Sequence, residues 1–411
     1  MRFITGDQNG LIKSIRLNLE ELDMNGNGVS SSSLTQDAVN PARSIQQMHL
    51  NRETNKLVTA RADSSIQQYT LSDSSLTLDE EWSDSRFAQD RYVGLGAVEN
   101  GILSATHRGN LSFHSQGTQR YLSLPPDLNA LRVSPNQAAF ACGGLERDLS
   151  IWDTARALEL SSTTPTAYTE KDLSGANKKE RKKAKEELLD GETWRAKNLP
   201  PDNLNLRVPI HITALEWLDN SVIATGSANG SVRLYDRRTS RKPVMVSDSL
   251  TKSSIRCLRK GVHDNLFVSD SSCGLLNVDT RNLRLLNGYR GIGAAVECVA
   301  PTPHRNITLS GAIDKYVRVH TSVLPPEEGK NPTTKANVLA KGFVKSSPTV
   351  VEWDGVVPVE EPSKKRVVRD KDSDESDGEL DDVLRDMDKV EGEDMKVKRK
   401  AEGRRMKKKR V

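Results

Sequence analysis

Apolar and polar residues alternate in short runs along most of the chain before residue 350, and turn residues separate the runs. The pattern is fullest in "FITGDQNGLIKSIRL" (3–17) and "IATGSANGSVRLYDR" (223–237). In each, an Asn-Gly pair divides two alternating runs: Asn9–Gly10 and Asn229–Gly230. Alternation predicts strands with one buried face, and Asn-Gly predicts a tight hairpin in which both turn residues adopt positive φ.

The same template recurs five more times, at residues 57–71, 102–116, 139–153, 266–280 and 307–321. The aligned turn positions are Gly10, Ser64, Gly109, Arg147, Gly230, Gly274 and Lys315, at intervals of 54, 45, 38, 83, 44 and 41 residues. Five of these six intervals are close to the ~40–45 residues of a four-stranded propeller blade. The endings Ile151-Trp152-Asp153 and Leu234-Tyr235-Asp236 match the Trp-Asp ending of WD repeats.

The repeats therefore predict an all-β fold, a seven-bladed WD-repeat β-propeller, with an ordinary β-sandwich as the alternative. The His, Ser, Trp and Asp set that rigidifies many such blades is largely missing, so we expect stability to come mainly from packing between the sheets. The first copy starts on an inner strand. We expect residues 338–355 to supply two more strands: one that completes the last blade, and "TVVEW" (349–353), which pairs with the first blade and closes the ring.

The long fourth interval contains an insertion at residues 170–209, charged and partly helical. Residues 178–190 favour a helix with six basic and four acidic side chains. This composition fits a solvated helix, or alternatively a basic arm that binds RNA phosphates or an acidic protein surface. Residues 193–209 read as neither strand nor ordinary helix. We expect Trp194, Leu204, Leu206 and Val208 to anchor this loop to the propeller, although an inert surface loop is the alternative.

Composition changes sharply toward the C-terminus. Residues 370–394 hold 13 acidic and 3 basic residues, and residues 396–411 hold 10 basic and 1 acidic. Such segments bury too little apolar surface to fold, so we expect residues 1–355 to form the propeller and residues 356–411 a disordered, acidic-then-basic tail. Ser373 and Ser376 lie among acidic residues and are candidates for phosphorylation by an acid-directed kinase. Residues 380–390 fit a short amphipathic helix on a partner, or chance spacing.

The basic end of the tail fits a bipartite nuclear-import signal and fits docking on RNA phosphates equally well. The residues of the candidate signal are Lys398, Arg399, Lys400, Arg404, Arg405, Lys407, Lys408, Lys409 and Arg410.

No constellation of residues points to catalysis. Cys142, Cys257, Cys273 and Cys298 are widely spaced, which argues against a zinc site and favours packed thiols in an intracellular protein. The seven histidines are scattered, and neither a phosphate-binding loop nor a nucleophile elbow is present. No signal peptide and no apolar run of the ~18 residues needed to span a bilayer is found. We predict a non-enzymatic protein with no cofactor, no metal and no membrane contact.

Residues 194–210, "WRAKNLPPDNLNLRVPI", resemble a signature of the nucleolar WD-repeat family that includes fungal Nop-seven-associated protein one and animal WD-repeat protein seventy-four. "GDQNGLIK" (6–13), "VRLYDRRTSRKPV" (232–244), "NGYRGIGAAVECV" (287–299) and "SGAIDKYVRVH" (310–320) extend the resemblance in order over about residues 1–325. Asn205 departs from the usual Asp, and Pro200–Pro201 lies within the signature.

The resemblance implies a scaffold that joins nucleolar precursors of the large (60S) ribosomal subunit, supports pre-rRNA processing, and is released by an AAA-type ATPase. We expect a monomer within that complex, in contact with assembly factors and ribosomal proteins; direct contact with pre-rRNA stays open. A generic WD-repeat adaptor, either a ubiquitin-ligase substrate receptor or a chromatin reader, is the alternative, and a blade-assembled hydrolase is a further one. The candidate contacts are Arg195, Lys197, Asn198 and Arg207 in the insertion, and Arg237, Arg238, Arg241 and Lys242 after the fifth copy.

Overall fold

A computed structural model describes residues 1–35, 38–83, 90–99, 101–164, 168–169, 177, 187–201, 204–248, 250–326 and 336–356. The contacts divide the chain into two units, Met1–Pro358 and Val359–Val411. All the strands and helices described below belong to the first unit.

Twenty-eight strands and one short helix make up the regular structure of the described residues. The first fourteen strands are β1 (Arg2–Asp7), β2 (Ile12–Leu17), β3 (Val29–Ser33), β4 (Ile45–Asn51), β5 (Lys56–Arg61), β6 (Ser65–Leu71), β7 (Leu76–Ser83), β8 (Tyr92–Val98), β9 (Gly101–Thr106), β10 (Asn110–Ser115), β11 (Thr118–Ser123), β12 (Leu128–Val133), β13 (Ala139–Gly144) and β14 (Arg147–Asp153). The helix α1 (Thr154–Leu160) follows β14, and 3-10 turns lie at Pro41–Arg43 and His304–Asn306.

The second fourteen strands follow α1 in chain order. They are β15 (Glu192–Arg195), β16 (Ile212–Trp217), β17 (Val222–Ser227), β18 (Val232–Asp236), β19 (Met245–Ser247), β20 (Ile255–Lys260), β21 (Asn265–Asp270), β22 (Leu275–Asp279), β23 (Leu285–Gly288), β24 (Val296–Pro301), β25 (Ile307–Ala312), β26 (Tyr316–Thr321), β27 (Val338–Phe343) and β28 (Pro348–Trp353).

The strands form seven four-stranded antiparallel sheets, which we number as blades 1 to 7. Blade 1 has the order β28-β1-β2-β3, and each later blade uses four consecutive strands, from β4–β7 in blade 2 to β24–β27 in blade 7. The innermost strands β28, β4, β8, β12, β16, β20 and β24 contact one another in that circular order. The predicted seven-bladed β-propeller is confirmed.

Ring closure follows the prediction as well. β27 completes blade 7, and β28 pairs with β1 in the register Phe3↔Trp353 to Gly6↔Val350. An ion pair between Arg2 Nε and Asp354 Oδ2 (2.6 Å) fastens the end of the closing strand. At its other end, Thr349 Oγ1 donates to the carbonyl of Ile45 in blade 2 (2.6 Å). The closing strand is therefore bound both within its own blade and to the next one.

The apolar core is divided among the seven interfaces between neighbouring blades. Each of seven clusters of buried side chains joins two adjacent blades; for example, Phe3 and Ile15 of blade 1 pack with Leu309 and Val319 of blade 7. Fully burying a side chain of this size contributes roughly 1.5–3 kcal/mol. The apolar clusters therefore lie where we expected packing between the sheets to stabilise the fold.

A small residue on the second strand of each blade explains the repeat that the sequence shows. It faces the start of the next blade's inner strand: a Cβ on Gly6 would lie 2.6 Å from Ile45, and one on Gly226 would lie 2.6 Å from Ile255. The residues at this position are Gly6, Ala60, Ala105, Gly143, Gly226, Ser269 and Gly311. At the four glycine positions the neighbouring blades approach too closely for any side chain.

The hairpin turns differ from the prediction in one respect. In the two Asn-Gly turns only Gly10 and Gly230 adopt positive φ, at 81° and 82°. The amide of Gly10 donates to the carbonyl of Asp7 (3.2 Å), which makes a tight turn followed by one left-handed residue. In blades 4 and 6 the left-handed residues are Glu146 and Cys273, one position before the aligned Arg147 and Gly274.

The cysteines are packed thiols, as predicted. Cys142, Cys257 and Cys298 are buried, and Cys273 is half-buried. Burial raises the pKa of the Cys142 thiol to about 12, which keeps it protonated and unreactive at neutral pH.

Replacing Gly226 with Ala tests the close approach between blades. The added methyl group would overlap Ile255 of blade 6, so we expect Gly226→Ala to lower the free energy of unfolding by about 1–3 kcal/mol. The matched control is Gly293→Ala, whose added methyl would meet nothing nearer than Asp314 at 4.0 Å. Urea denaturation followed by circular dichroism measures both, and equal unfolding midpoints for the two variants would contradict the packing argument.

Candidate partner-binding surface

The segment that follows the insertion begins as a strand. Residues 193–195 were expected to be irregular, but they belong to β15, which pairs with β14 in the register Ile151↔Trp194 and Ser150↔Arg195. Trp194 packs edge-on against Tyr235 of blade 5, with ring centroids 6.0 Å apart. Trp194 therefore anchors the segment as predicted. The segment is a strand because blade 4 needs a fourth, outer strand to be complete.

The two sets of predicted contact residues form one surface. Arg241 Nε donates to the carbonyl of Arg195 (2.6 Å), and the amide of Lys197 donates to the carbonyl of Arg241 (2.7 Å). Because backbone groups take part on both sides, the loop after β18 is held against the end of β15. We call residues 195–198, Arg207 and residues 237–242 the insertion surface.

Three arginines of the insertion surface are engaged in ion pairs. Arg195 pairs with the buried carboxylate of Glu192, and Arg238 Nη2 lies 2.9 Å from Asp236 Oδ2. Hydrogen bonds from Arg238 lower the pKa of Asp236. Arg207 Nη1 lies 3.2 Å from Glu146 Oε2. These guanidinium groups position the loops, and the carboxylates beside them partly neutralise their positive charge.

The remaining charges of the surface point to solvent. Lys197, Arg237 and Lys242 are exposed, and none of them has an ion-pair partner among the described residues. Three positive charges on connected loops attract an acidic protein surface or phosphates. These three residues are the strongest candidates for direct contact with a partner.

Asn198 fixes the loop that follows. Its side-chain amide donates to the carbonyl of Val208 (2.7 Å), and its side-chain oxygen accepts from the amide of Leu199 (2.8 Å). The two ends of the loop are thereby tied together. Asn198 is a positioning residue rather than an exposed contact.

The prediction that Leu204 and Leu206 anchor the loop is wrong. Their exposed fractions are 79% and 60%, while Val208 is half-buried. Leu145, in the β13–β14 turn, is also 46% exposed and bridges to His211 at the end of the same segment. Large apolar side chains suggested anchoring, but at this surface they add exposed apolar area beside the charges, as binding surfaces often do.

Several predicted features lie outside the described residues. They are residues 178–186 of the predicted helix, Ser373, Ser376, the 380–390 segment and the nine basic residues of the import signal. The last four residues of that predicted helix, 187–190, are described and are not helical, so the prediction is wrong there. No helix in the described part of the chain is long and apolar enough to cross a membrane. Within the same residues, no group of three or more His, Cys, Asp or Glu could hold a metal ion.

The central channel carries charges that link distant blades. The fifth residues of the inner strands are His49, Gly96, Arg132, Glu216, Arg259, Ala300 and Glu352. Arg259 Nη2 lies 3.0 Å from Glu352 Oε1 on the closing strand, and Arg259 Nη1 lies 4.0 Å from Glu216 Oε2. Its proximity to Arg259 lowers the pKa of Arg132. This layer contains no Phe, Tyr or Trp, so it does not form the aromatic cage by which a chromatin reader would bind methyl-lysine.

Comparison with known proteins supports the family resemblance. The WD domain, G-beta repeat family model matches residues 206–236, which include β16 to β18 and Arg207. Ribosome biogenesis protein nsa1 of Schizosaccharomyces pombe is 21% identical over 384 residues, covering 85% of this chain and 88% of that protein. Human WD repeat-containing protein 74 is 24% identical over 226 residues, covering 54% of this chain.

The chain is similar to these WD-repeat proteins. Its match to the human relative spans half of that protein's length, whereas its match to the fission yeast relative spans most of both chains. The fold agrees with a solved propeller, the Cps50 (Swd1) β-propeller domain of Myceliophteria thermophila, with a TM-score of 0.54, 13% identity and coverage of 75% of this chain and 90% of that one. At that identity the structural match concerns the fold alone.

Substituting Asn198 tests how the WD-repeat scaffold holds its insertion surface. Asn198→Ala removes the bond to Val208, which is worth about 0.5–1.5 kcal/mol, so we expect trypsin to cleave at Lys197 and Arg207 roughly two- to tenfold faster. Asn25→Ala, in an exposed loop of blade 1, is the control and should leave those rates unchanged. Mass spectrometry of timed digests measures them, and equal rates for both variants would show that Asn198 does not hold the loop.

Proposed function

We propose that this protein is a non-catalytic assembly factor in the biogenesis of the large ribosomal subunit. It joins nucleolar pre-ribosomal particles through the insertion surface and supports pre-rRNA processing. The proposal is supported by the names of the relatives, ribosome biogenesis protein nsa1 in particular, whose match extends over most of both chains. In the structure, the proposal is supported most by the hydrogen bonds of Arg241 to Arg195 and Lys197, which bring the two predicted sets of contact residues together.

The geometry of the surface suits assembly rather than turnover. Its exposed cations and leucines stand on loops that are tied to two neighbouring blades, and this arrangement presents a preformed contact area. Ion pairs hold Arg195, Arg207 and Arg238 in place. We therefore assign protein partners, namely assembly factors or ribosomal proteins, to this surface.

The remaining expectations from the sequence belong to the same proposal. Residues 1–355 form the propeller, and residues 356–411 form a separate charged tail whose basic end directs the protein to the nucleus and nucleolus. The protein acts as a monomer within the particle, and an AAA-type ATPase removes it at a later step. This release step rests on the family resemblance.

Charge reversal of the insertion surface tests the proposal. The variant Lys197→Glu/Arg237→Glu/Lys242→Glu should fold normally, because all three side chains are exposed. Reversing charges at an interface costs several kcal/mol when like charges are brought together. We expect recovery of large-subunit proteins and precursor rRNA with the tagged protein to fall roughly tenfold or more.

The matched control is Arg108→Glu/Arg156→Glu/Arg284→Glu, which makes the same change in net charge at exposed positions of blades 3, 4 and 6. It should retain at least half of the recovered particle. Quantitative mass spectrometry and RNA blotting of the purified material supply the comparison. If the unaltered protein recovers only ubiquitin-ligase or chromatin components, the assembly-factor proposal is wrong.

A further inference from the structure

A second surface with a different chemistry lies on the outer part of blade 7. Strands β26 and β27 place Tyr316 opposite Phe343, with ring centroids 5.3 Å apart and planes inclined by 55°. Phe343 is 55% exposed, although it is a large aromatic residue. The two rings in contact, one of them more than half exposed, offer an aromatic face on which a flat group can stack.

The pleat of β27 places charge beside this ring. Gly342 faces blade 1, where an added Cβ would lie 2.5 Å from Val29. Lys341 and Phe343 therefore share the opposite side of the strand, about 6.7 Å apart along it. Lys345 follows the strand end, and the carbonyl of Lys315 accepts a hydrogen bond from the amide of Val344 (2.9 Å). We call Lys315, Tyr316, Lys341, Phe343 and Lys345 the blade 7 patch.

The patch has a net positive charge. Lys315, Lys341 and Lys345 are exposed, and none of the three forms an ion pair with a described residue. Asp314, the acid next to Lys315 in sequence, is bound by Arg318 at 2.5 Å. The guanidinium of Arg318 also lies over the Tyr316 ring, 5.7 Å from its centroid. The patch presents cations around an aromatic face.

We propose that the blade 7 patch binds single-stranded RNA, with one base stacked on Phe343 and the neighbouring phosphates contacting the three lysines. A groove of cations with an interleaved aromatic ring is the arrangement by which proteins hold single strands without sequence preference. Double-stranded RNA keeps its bases stacked inside the helix and cannot offer one to Phe343. The inference extends the proposed function to rRNA but rests on residues separate from the insertion surface.

Binding of a fluorescently labelled twelve-nucleotide oligouridine RNA to the full-length protein tests the proposal. We expect a Kd of roughly 1–100 µM near physiological salt. Phe343→Ala should weaken binding roughly fivefold or more, since stacking of one base is worth that much, whereas Phe343→Tyr should stay within about twofold of the unaltered protein. Circular dichroism checks that each variant is folded, which is expected for an exposed side chain.

The dependence of RNA affinity on salt distinguishes the contribution of the lysines from that of the Phe343 ring. Removing two phosphate contacts with Lys341→Gln/Lys345→Gln should reduce the slope of log Kd against log salt by about 1.4, whereas Phe343→Ala should leave the slope unchanged. A duplex of the same length should bind equally to the unaltered protein and to Phe343→Ala. These two results together assign stacking to Phe343 and phosphate contact to the lysines.

The insertion-surface variant Lys197→Glu/Arg237→Glu/Lys242→Glu distinguishes this inference from the proposed function. It should lose the pre-ribosomal particle yet retain oligonucleotide affinity within about threefold, as expected for charges remote from the stacked base. The inference is overturned if oligonucleotide binding is weaker than about 100 µM, or if Phe343→Ala binds as well as the unaltered protein. It is also overturned if Phe343→Ala loses co-purified proteins while its RNA binding is unchanged, because the patch would then bind a protein.

Discussion

The close approach of neighbouring blades around the channel is the constraint on which the whole structure depends. At four interfaces a glycine of one blade meets the first inner-strand residue of the next, as Gly6 meets Ile45 and Gly226 meets Ile255. Around the ring, seven apolar clusters form, one for each pair of neighbouring blades. Since each blade is stabilised by both neighbours, the ring must close for any interface to keep its full area.

Closure joins parts of the chain that are far apart in sequence. β28 pairs with β1 and brings Glu352 into the channel, where Arg259 of blade 6 binds it across the intervening blade 7. The rigid ring then presents loops of adjacent blades in fixed relation. The contact between Arg195 and Arg241, which creates the insertion surface, requires blades 4 and 5 to be packed together. The insertion surface is thus a product of the interface between two blades.

The blade count, the closing strand and the family resemblance could be predicted from the sequence because each has a local signature. The small residues, the turns and the alternating apolar positions are read directly along the chain. The turn geometry was less predictable: Asn-Gly suggested two left-handed residues, whereas one left-handed glycine after a tight turn matches the strands here. The Asn-Gly sequence is compatible with both kinds of turn, because both place the two strands side by side.

Features that depend on which strands and which blades meet had no local signature. The sequence marked Arg195 to Asn198 and Arg237 to Lys242 as two candidate sets, and only the structure shows that they touch. Leu204 and Leu206 were expected inside because they are apolar, yet they are exposed and Trp194 packs against Tyr235. The blade 7 patch was missed because Tyr316 and Phe343 are 27 residues apart and become neighbours through the pairing of β26 with β27.

Amide hydrogen exchange of the full-length protein tests ring closure most directly. The β1 amides that bond to β28 should exchange as slowly as those joining β12 to β13, because both ladders open only when the ring unfolds. Slow exchange in both ladders is the result we expect. If the β1 amides exchange rapidly while the β12–β13 ladder remains protected, β28 does not close the ring, and the account of this protein as a closed, rigid scaffold is contradicted.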